Sequence, residues 1–115
     1  MVIKINQEIL NEKYNEILYE SLTNGHVLPF LLLDYVVNVP NRYGIRRDVL
    51  KKQSIEAREK CDEEAYARDK KEYSIYKENR NKQTRDKLIR EFHEEEFNEW
   101  LKIFPQYEIL IEKGG

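Results

Sequence analysis

The sequence has few of the residues on which enzymes and secreted proteins often depend. It contains one cysteine, three prolines and four glycines, and two of the glycines form the terminal pair. Cys61 alone cannot form an internal disulfide, and the two remaining glycines are too few for a glycine-rich phosphate loop. No positively charged leader precedes an apolar stretch, so we expect an intracellular, cytoplasmic protein.

A long apolar run is also missing. The most apolar segment, residues 27–39, is shorter than the roughly 20 residues of a membrane-spanning helix, and it contains Pro29 and Asp34. We therefore predict that the chain does not span a membrane. Because the segment is apolar on nearly every side, it predicts a short helix at the centre of a core, beginning near Pro29. Its valines leave a buried strand as the alternative.

Motifs of catalysis and metal binding are absent as well. His93 opens the stretch HEEEF, in which Phe97 replaces the second histidine of the HExxH zinc signature. We interpret His93 as a partly buried, hydrogen-bonded core residue, His26 as a cation near the end of the first helix, and Cys61 as a buried, unreactive thiol. We predict no catalytic residue, no metal site, no cofactor and no enzymatic activity. The motifs identify no known family.

What the sequence does contain is helical periodicity. Its 115 residues suit one helical domain, residues 1–115. A first helix is predicted between an N-cap at Asn6 and a stop at Gly25, and a last helix over 85–104. The first helix has its apolar face at Leu10, Tyr14, Ile17, Leu18 and Leu22. The last has an apolar stripe at Ile89, His93, Phe97, Trp100 and Phe104, with Leu88, Phe92 and Leu101 beside it.

Between these helices, no glycine or proline occurs from Ile45 to Phe104. One helix of about 60 residues would reach about 90 Å, which a small core cannot support along its whole length. We therefore predict a break at 79–84 and a long charged helix over 46–78, preceded by a turn at 41–44. The expected fold class is all-α: a small helical bundle with one long charged helix and at most a minor two-stranded pairing of residues 1–5 with 107–111.

Charge is abundant but unevenly distributed. The net charge is −2 for the whole chain, −3 for residues 1–40, +6 for residues 41–90 and −5 for residues 91–115. On the long helix both signs interleave around the circumference, which predicts cations that are neutralised by nearby acids. Three pairs have the favourable order of an acid four residues before a base. They are Asp48 with Lys52, Glu56 with Lys60, and Glu64 with Arg68.

Two further patterns lie on the long helix. Small and apolar residues share one narrow face, which predicts a packing seam with another helix; we call Leu50, Ala57, Cys61 and Ala65 the small-residue seam. Tyrosines and cations elsewhere on the helix form the candidate partner-binding site. Its residues are Tyr66, Lys70, Tyr73, Tyr76, Lys77 and Arg80.

These features favour a non-enzymatic binding protein, an adaptor or inhibitor, that occupies a protein partner through its charged, tyrosine-bearing helical surface. Two alternatives stay open. One is binding of RNA or single-stranded DNA through the basic segment 42–90, with tyrosines stacked on bases. The other is self-association, as a homodimer, through residues 27–39 and the small-residue seam. Evenly mixed charges favour the protein partner, because nucleic acid binding needs cations gathered on one side. The many Asn, Lys, Ile, Tyr and Glu residues are typical of an A/T-rich genome and suggest a phage or viral source.

Overall fold

The computed structural model describes residues 3–35 and 42–112, and the side chains of residues 3–32 and 47–112. Within these residues the chain forms five α-helices followed by a 3-10 helix, so the predicted all-α helical bundle is confirmed. None of the described helices is long and apolar enough to cross a membrane. The elements are α1 (Gln7–Thr23), α2 (Phe30–Tyr35), α3 (Arg42–Lys52), α4 (Ile55–Glu78), α5 (Lys82–Ile103) and the 3-10 helix (Pro105–Leu110).

One hydrophobic core joins both ends of the described chain. All five predicted apolar positions of α1 are buried in it, and they meet side chains from α2, α5 and the 3-10 helix. Each fully buried Leu, Ile or Phe stabilises the fold by about 1.5–3 kcal/mol relative to an exposed one. The most deeply buried large side chains are Leu10, Tyr14, Ile17, Leu32, Phe97 and Leu110.

The ends of α1 lie where the sequence predicts them. The Asn6 side chain accepts a hydrogen bond from the Ile9 backbone N–H at 3.2 Å, which caps the first turn. At the other end Gly25 has a φ of +83°. The N–H groups of Gly25 and His26 donate to the carbonyls of Leu22 and Ser21, so a Schellman motif closes the helix.

The long helix predicted over 46–78 is wrong in one respect, because it is two helices. Ser54 interrupts it, and the Ser54 side chain accepts from the Ala57 N–H at 3.1 Å to cap α4. Both α3 and α4 pack against the short α1, and one straight helix of this length would run past it. The predicted turn at 41–44 is also wrong over residues 42–44, which begin α3. Packing of α3 on α1, with Val49 buried, overrides the turn preference of these residues.

Two other boundaries differ from the prediction. Residues 107–111 are not an extended run, because Pro105 begins a 3-10 helix in which Tyr107 and Leu110, three residues apart, both point into the core. Among the described residues of the two ends, the expected pairing is reduced to one antiparallel bridge between Ile5 and Ile111. The predicted helix over 27–39 is α2 within the described residues, and its last four positions lie outside them.

Candidate partner-binding arm

The second half of α4 and the first half of α5 extend beyond the core as a helical hairpin. Cys61 is the last buried residue of α4 and Phe92 the first of α5, and none of the residues between them, all described, is buried. We call residues 62–91 the arm. Asn81 turns the chain between the helices, and its side chain accepts from the N–H groups of Gln83 and Thr84 at 2.9 and 3.3 Å. The predicted break at 79–84 is therefore confirmed over residues 79–81, whereas residues 82–84 are the first turn of α5, which begins earlier than predicted.

Contacts between charged and aromatic side chains hold the two helices of the arm together. The Arg85 guanidinium lies 5.1 Å from the centre of the Tyr76 ring, and the Lys71 ammonium lies 4.9 Å from the centre of the Phe92 ring. Cation–π contacts of this kind are worth about 0.5–1 kcal/mol at exposed sites. No side chain of the arm is fully buried, so cross-helix pairs of this kind contribute to its stability.

A partly buried ion pair anchors the arm at its base. Arg68 lies 3.9 Å above the Phe30 ring and donates from Nη1 to the Leu28 carbonyl at 2.9 Å, while its Nε lies 3.6 Å from a Glu96 oxygen. The other Glu96 oxygen accepts from the Phe30 N–H at 2.9 Å, which caps the start of α2. Burial raises the pKa of Glu96, and the Phe30 N–H and Arg68 act in the opposite direction.

The sequence did not predict this anchor. It paired Arg68 with Glu64, but Glu64 instead contacts His26 Nδ1 at 2.9 Å. The signal was the position of Arg68 seven residues after Cys61, on the continuation of the small-residue seam. A cation on a packing face needs a buried partner, which the seam alone does not identify.

Four of the six predicted site residues share one side of the arm. Tyr66, Lys70, Tyr73 and Lys77 follow at intervals of four, three and four residues, so they line one face of α4, which we call the outer face. Tyr66 and Tyr73 are 70% and 67% exposed, and both lysines are exposed. None of the four makes a hydrogen bond, ion pair or ring contact with the described part of the chain.

The other two predicted residues lie apart from the outer face. Tyr76 is turned toward α5, where it lies under Arg85, and it is 47% exposed. Arg80 is exposed in the turn at the end of the arm, beyond the last residue of α4. The structure therefore brings Tyr66, Lys70, Tyr73 and Lys77 together, with Arg80 near one end of their line.

Charge is unevenly distributed between the base of α4 and the tip of the arm, whereas acids and bases stay mixed in the second half of α4, where residues 65–78 carry four bases and three acids. Residues 55–64 carry five acids and two bases, whereas residues 70–90, the arm tip, carry eight bases and three acids. Acids near a helix N-terminus and bases near its C-terminus complement the helix dipole. Of the three predicted acid–base pairs, only Glu56–Lys60 forms, at 3.5 Å, among the described side chains.

The small-residue seam packs inside the protein. Ala57 and Cys61 are 6% and 7% exposed, and α4 packs here against α1. The Cys61 thiol lies 3.9 Å from the Leu22 carbonyl oxygen, and burial raises its pKa, so the prediction of a buried thiol is confirmed. A protonated thiol is a poor nucleophile.

His93 is partly buried, as predicted, but it does not make the expected hydrogen bond with the described part of the chain. Its ring packs against Phe30 and Phe92, with ring centres 5.0 and 5.8 Å apart. The Nε2 atom has no hydrogen-bond partner in the described chain and lies 4.0 Å from a Glu72 oxygen. No group of three or more metal-ligating side chains gathers in the described residues.

No protein-family model, curated protein or solved structure matches this chain.

Proposed function

We propose that this chain is a non-enzymatic binding protein that occupies a macromolecular partner with the outer face of its arm. The observation that carries the proposal is the pair of largely exposed tyrosines, Tyr66 and Tyr73, interleaved with two lysines that have no partner in the described chain. Single exposed apolar residues are common on protein surfaces. A line of amphipathic rings alternating with free cations is the kind of surface that a partner covers.

The arm presents this face in a fixed geometry. All four residues lie on one continuous helix, and the Arg68–Glu96 contacts with Phe30 hold that helix against the core. A preformed face loses little conformational freedom on binding, and tyrosine has only two side-chain torsions to immobilise. Tyrosine also supplies a large apolar ring and a hydroxyl in one side chain, which is why it often dominates binding energy at interfaces.

The sequence favours a protein partner over nucleic acid on the ground that both signs of charge mix evenly around the long helix. The positive excess of the arm tip, residues 70–90, weakens that argument. Self-association through the small-residue seam also loses support, because Ala57 and Cys61 are buried within a single chain.

Site-specific photo-crosslinking tests the proposal. Ala67 is exposed and lies about 100° round the helix from Tyr66, at the edge of the outer face, and a p-benzoylphenylalanine there is long enough to reach a partner that covers this face. The same group at Asn11, which is exposed on α1, is the matched control. In extracts of the source cells we expect adducts from position 67 and few from position 11. Equal labelling from both positions, or no adduct from position 67, would contradict a partner on the arm.

A further inference from the structure

We infer that the partner of the arm is single-stranded nucleic acid, with phosphates at the free cations of the arm tip and bases stacked on Tyr66 and Tyr73. This inference rests on the proposed function, because it names the partner of the same face.

The first support is a set of cations without anions. Five exposed bases of the arm tip make no hydrogen bond, ion pair or ring contact with the described residues: Lys70, Lys77, Arg80, Lys82 and Lys87. The exposed acids nearby are Glu78 and Asp86 in the tip and Asp69 just before it, and Asp69 lies 3.9 Å from Arg68 Nε, so a positive excess remains. Glu78 follows Lys77 directly and therefore lies about 100° round the helix from it. A cation without a neighbouring anion is available to neutralise a phosphate. Each phosphate that is neutralised releases counterions from the strand, which favours binding.

The second support is the spacing along the outer face. At a rise of 1.5 Å per residue, Tyr66, Lys70, Tyr73 and Lys77 follow one another at about 6, 4.5 and 6 Å. The two rings are then about 10.5 Å apart, which is about three steps of a strand stacked at 3.4 Å per nucleotide. A cation lies between the rings and another beyond them, so each stacked base has a charge within reach of its phosphate.

The third support is the kind of residue that surrounds the tyrosines. Protein–protein interfaces are enriched in Tyr and Arg but depleted in Lys, and their centres are apolar. Here four of the five free cations are lysines, and the tyrosines have Ala67, Asp69 and Ser74 beside them instead of large aliphatic residues. An acidic protein surface would match the charge but would leave the exposed rings without an apolar pocket.

Two further features indicate that the nucleic acid is single-stranded and that it binds the outer part of the arm. Stacking on a tyrosine ring requires an unpaired base, so a duplex cannot use Tyr66 and Tyr73 in this way. Toward the core the same side of α4 becomes acidic, with Glu59, Asp62 and Glu63 exposed before Tyr66. These carboxylates repel phosphate and confine the strand to the outer part of the arm.

Fluorescence anisotropy with labelled oligo(dT) and oligo(rU) of about 20 nucleotides tests the inference, since sites of this type span roughly 4–16 nucleotides. We expect affinity to fall with salt, with a log–log slope of about −0.7 per phosphate contacted. Tyr73→Ala should weaken binding about 5- to 150-fold. Tyr19→Ala, a change at a half-exposed tyrosine on α1, is the matched control and should leave affinity unchanged.

A second pair of variants tests the charge. Lys77→Gln should reduce the size of the salt slope by about 0.7, whereas Lys52→Gln, an exposed lysine on α3, should not change it. Three results would each overturn the inference: an affinity that does not change with salt concentration, an equal affinity for a duplex of the same length, or equal effects of Tyr73→Ala and Tyr19→Ala. If a protein then crosslinks to position 67, the proposed function stands with a different partner. If nothing crosslinks to position 67, the proposed function and the inference about its partner both fail.

Discussion

Trp100 on α5 and Ser21 on α1 share a hydrogen bond inside the hydrophobic core. The indole Nε1 donates to Ser21 Oγ at 3.0 Å, and Ser21 Oγ donates in turn to the His26 carbonyl at 2.7 Å. Ser21 is fully buried, so its hydroxyl is satisfied both as acceptor and as donor without water. This relay ties the last helix to the first helix and to the turn that follows it.

Ser21→Ala should destabilise the protein by about 1–3 kcal/mol, because it leaves the buried Trp100 N–H and the His26 carbonyl without their partner. Urea unfolding followed by tryptophan fluorescence measures the change. Ser74→Ala, a change at a half-exposed serine on the arm, is the matched control and should stay within about 0.5 kcal/mol of the native protein. Equal effects of the two substitutions would show that the relay contributes nothing.

Gly25→Ala should also destabilise the protein, by about 1–2 kcal/mol, because Gly25 has a φ of +83° that residues with a Cβ disfavour. The added Cβ would also lie 3.0 Å from the Lys60 side chain. Gly25→Asn should cost less than Gly25→Ala in thermal unfolding, since Asn adopts this conformation more readily.

The double substitution Gly25→Ala with Lys60→Ala separates these two causes. It removes the contact with the flexible Lys60 chain but keeps the backbone strain, so most of the loss should remain. Full recovery of stability in the double variant would mean that crowding, and not backbone conformation, sets the cost.

The helices of the core were predictable because their buried residues recur at the spacing of one helix face. The five apolar positions of α1 recur at three and four residues, and every one of them is buried. The break between α3 and α4 was not predictable in the same way. It lacks glycine and proline, and its only local signal is Ser54, whose role as a cap depends on α3 and α4 both packing on α1.

The candidate site was predictable in part for the same reason. A line of four residues on one side of a helix follows from spacing alone, so the outer face could be read from the sequence. Which charges are satisfied could not, because partners come from distant parts of the chain. Glu64 meets His26 from 38 residues away, and Arg68 meets Glu96 on another helix. Local acid–base spacing therefore overestimated how many cations of α4 are neutralised.

The ion pair at the base of the arm predicts a specific pH dependence. Burial raises the pKa of Glu96 above the ordinary value of 4.5, so the folded protein holds this proton more tightly than the unfolded chain does. The resulting stabilisation is fully present below the unfolded pKa and is lost as the pH rises through the folded pKa. Glu96→Gln cannot titrate and should lack this loss.

Urea unfolding over roughly pH 3 to 8 measures this pH-dependent loss of stability. The unfolding free energy of the native protein minus that of Glu96→Gln should fall with rising pH, starting near pH 4.5, in addition to a constant difference from the altered Arg68 contact. Glu95→Gln removes an exposed carboxylate from the adjacent position and is the matched control. The unfolding free energy of Glu95→Gln minus that of Glu96→Gln should therefore show the same decline with rising pH. A flat difference would rule out Glu96 as its source.

The asparagine caps of the core and of the arm should respond differently to the same substitution. Asn6 caps α1, which is part of the core, and Asn81 caps α5 at the end of the arm, where no side chain is buried. Asn6→Ala should lower the free energy of global unfolding by about 1 kcal/mol. Asn81→Ala should mainly speed hydrogen exchange of amides in residues 79–90, because a segment with no fully buried residue opens locally before the core unfolds.

Hydrogen exchange of the unaltered protein gives the reference for this comparison. Amides of the arm tip should exchange faster than those of α1, and amides near Arg68 should exchange at an intermediate rate because the Arg68–Glu96 contact joins the arm to α2. Arm-tip amides as slow as those of α1 would instead mean that the arm and the core unfold together. If a single strand binds the outer face, its addition should slow exchange from Tyr66 to Lys77 and leave α1 unchanged, since ligands protect the region they cover.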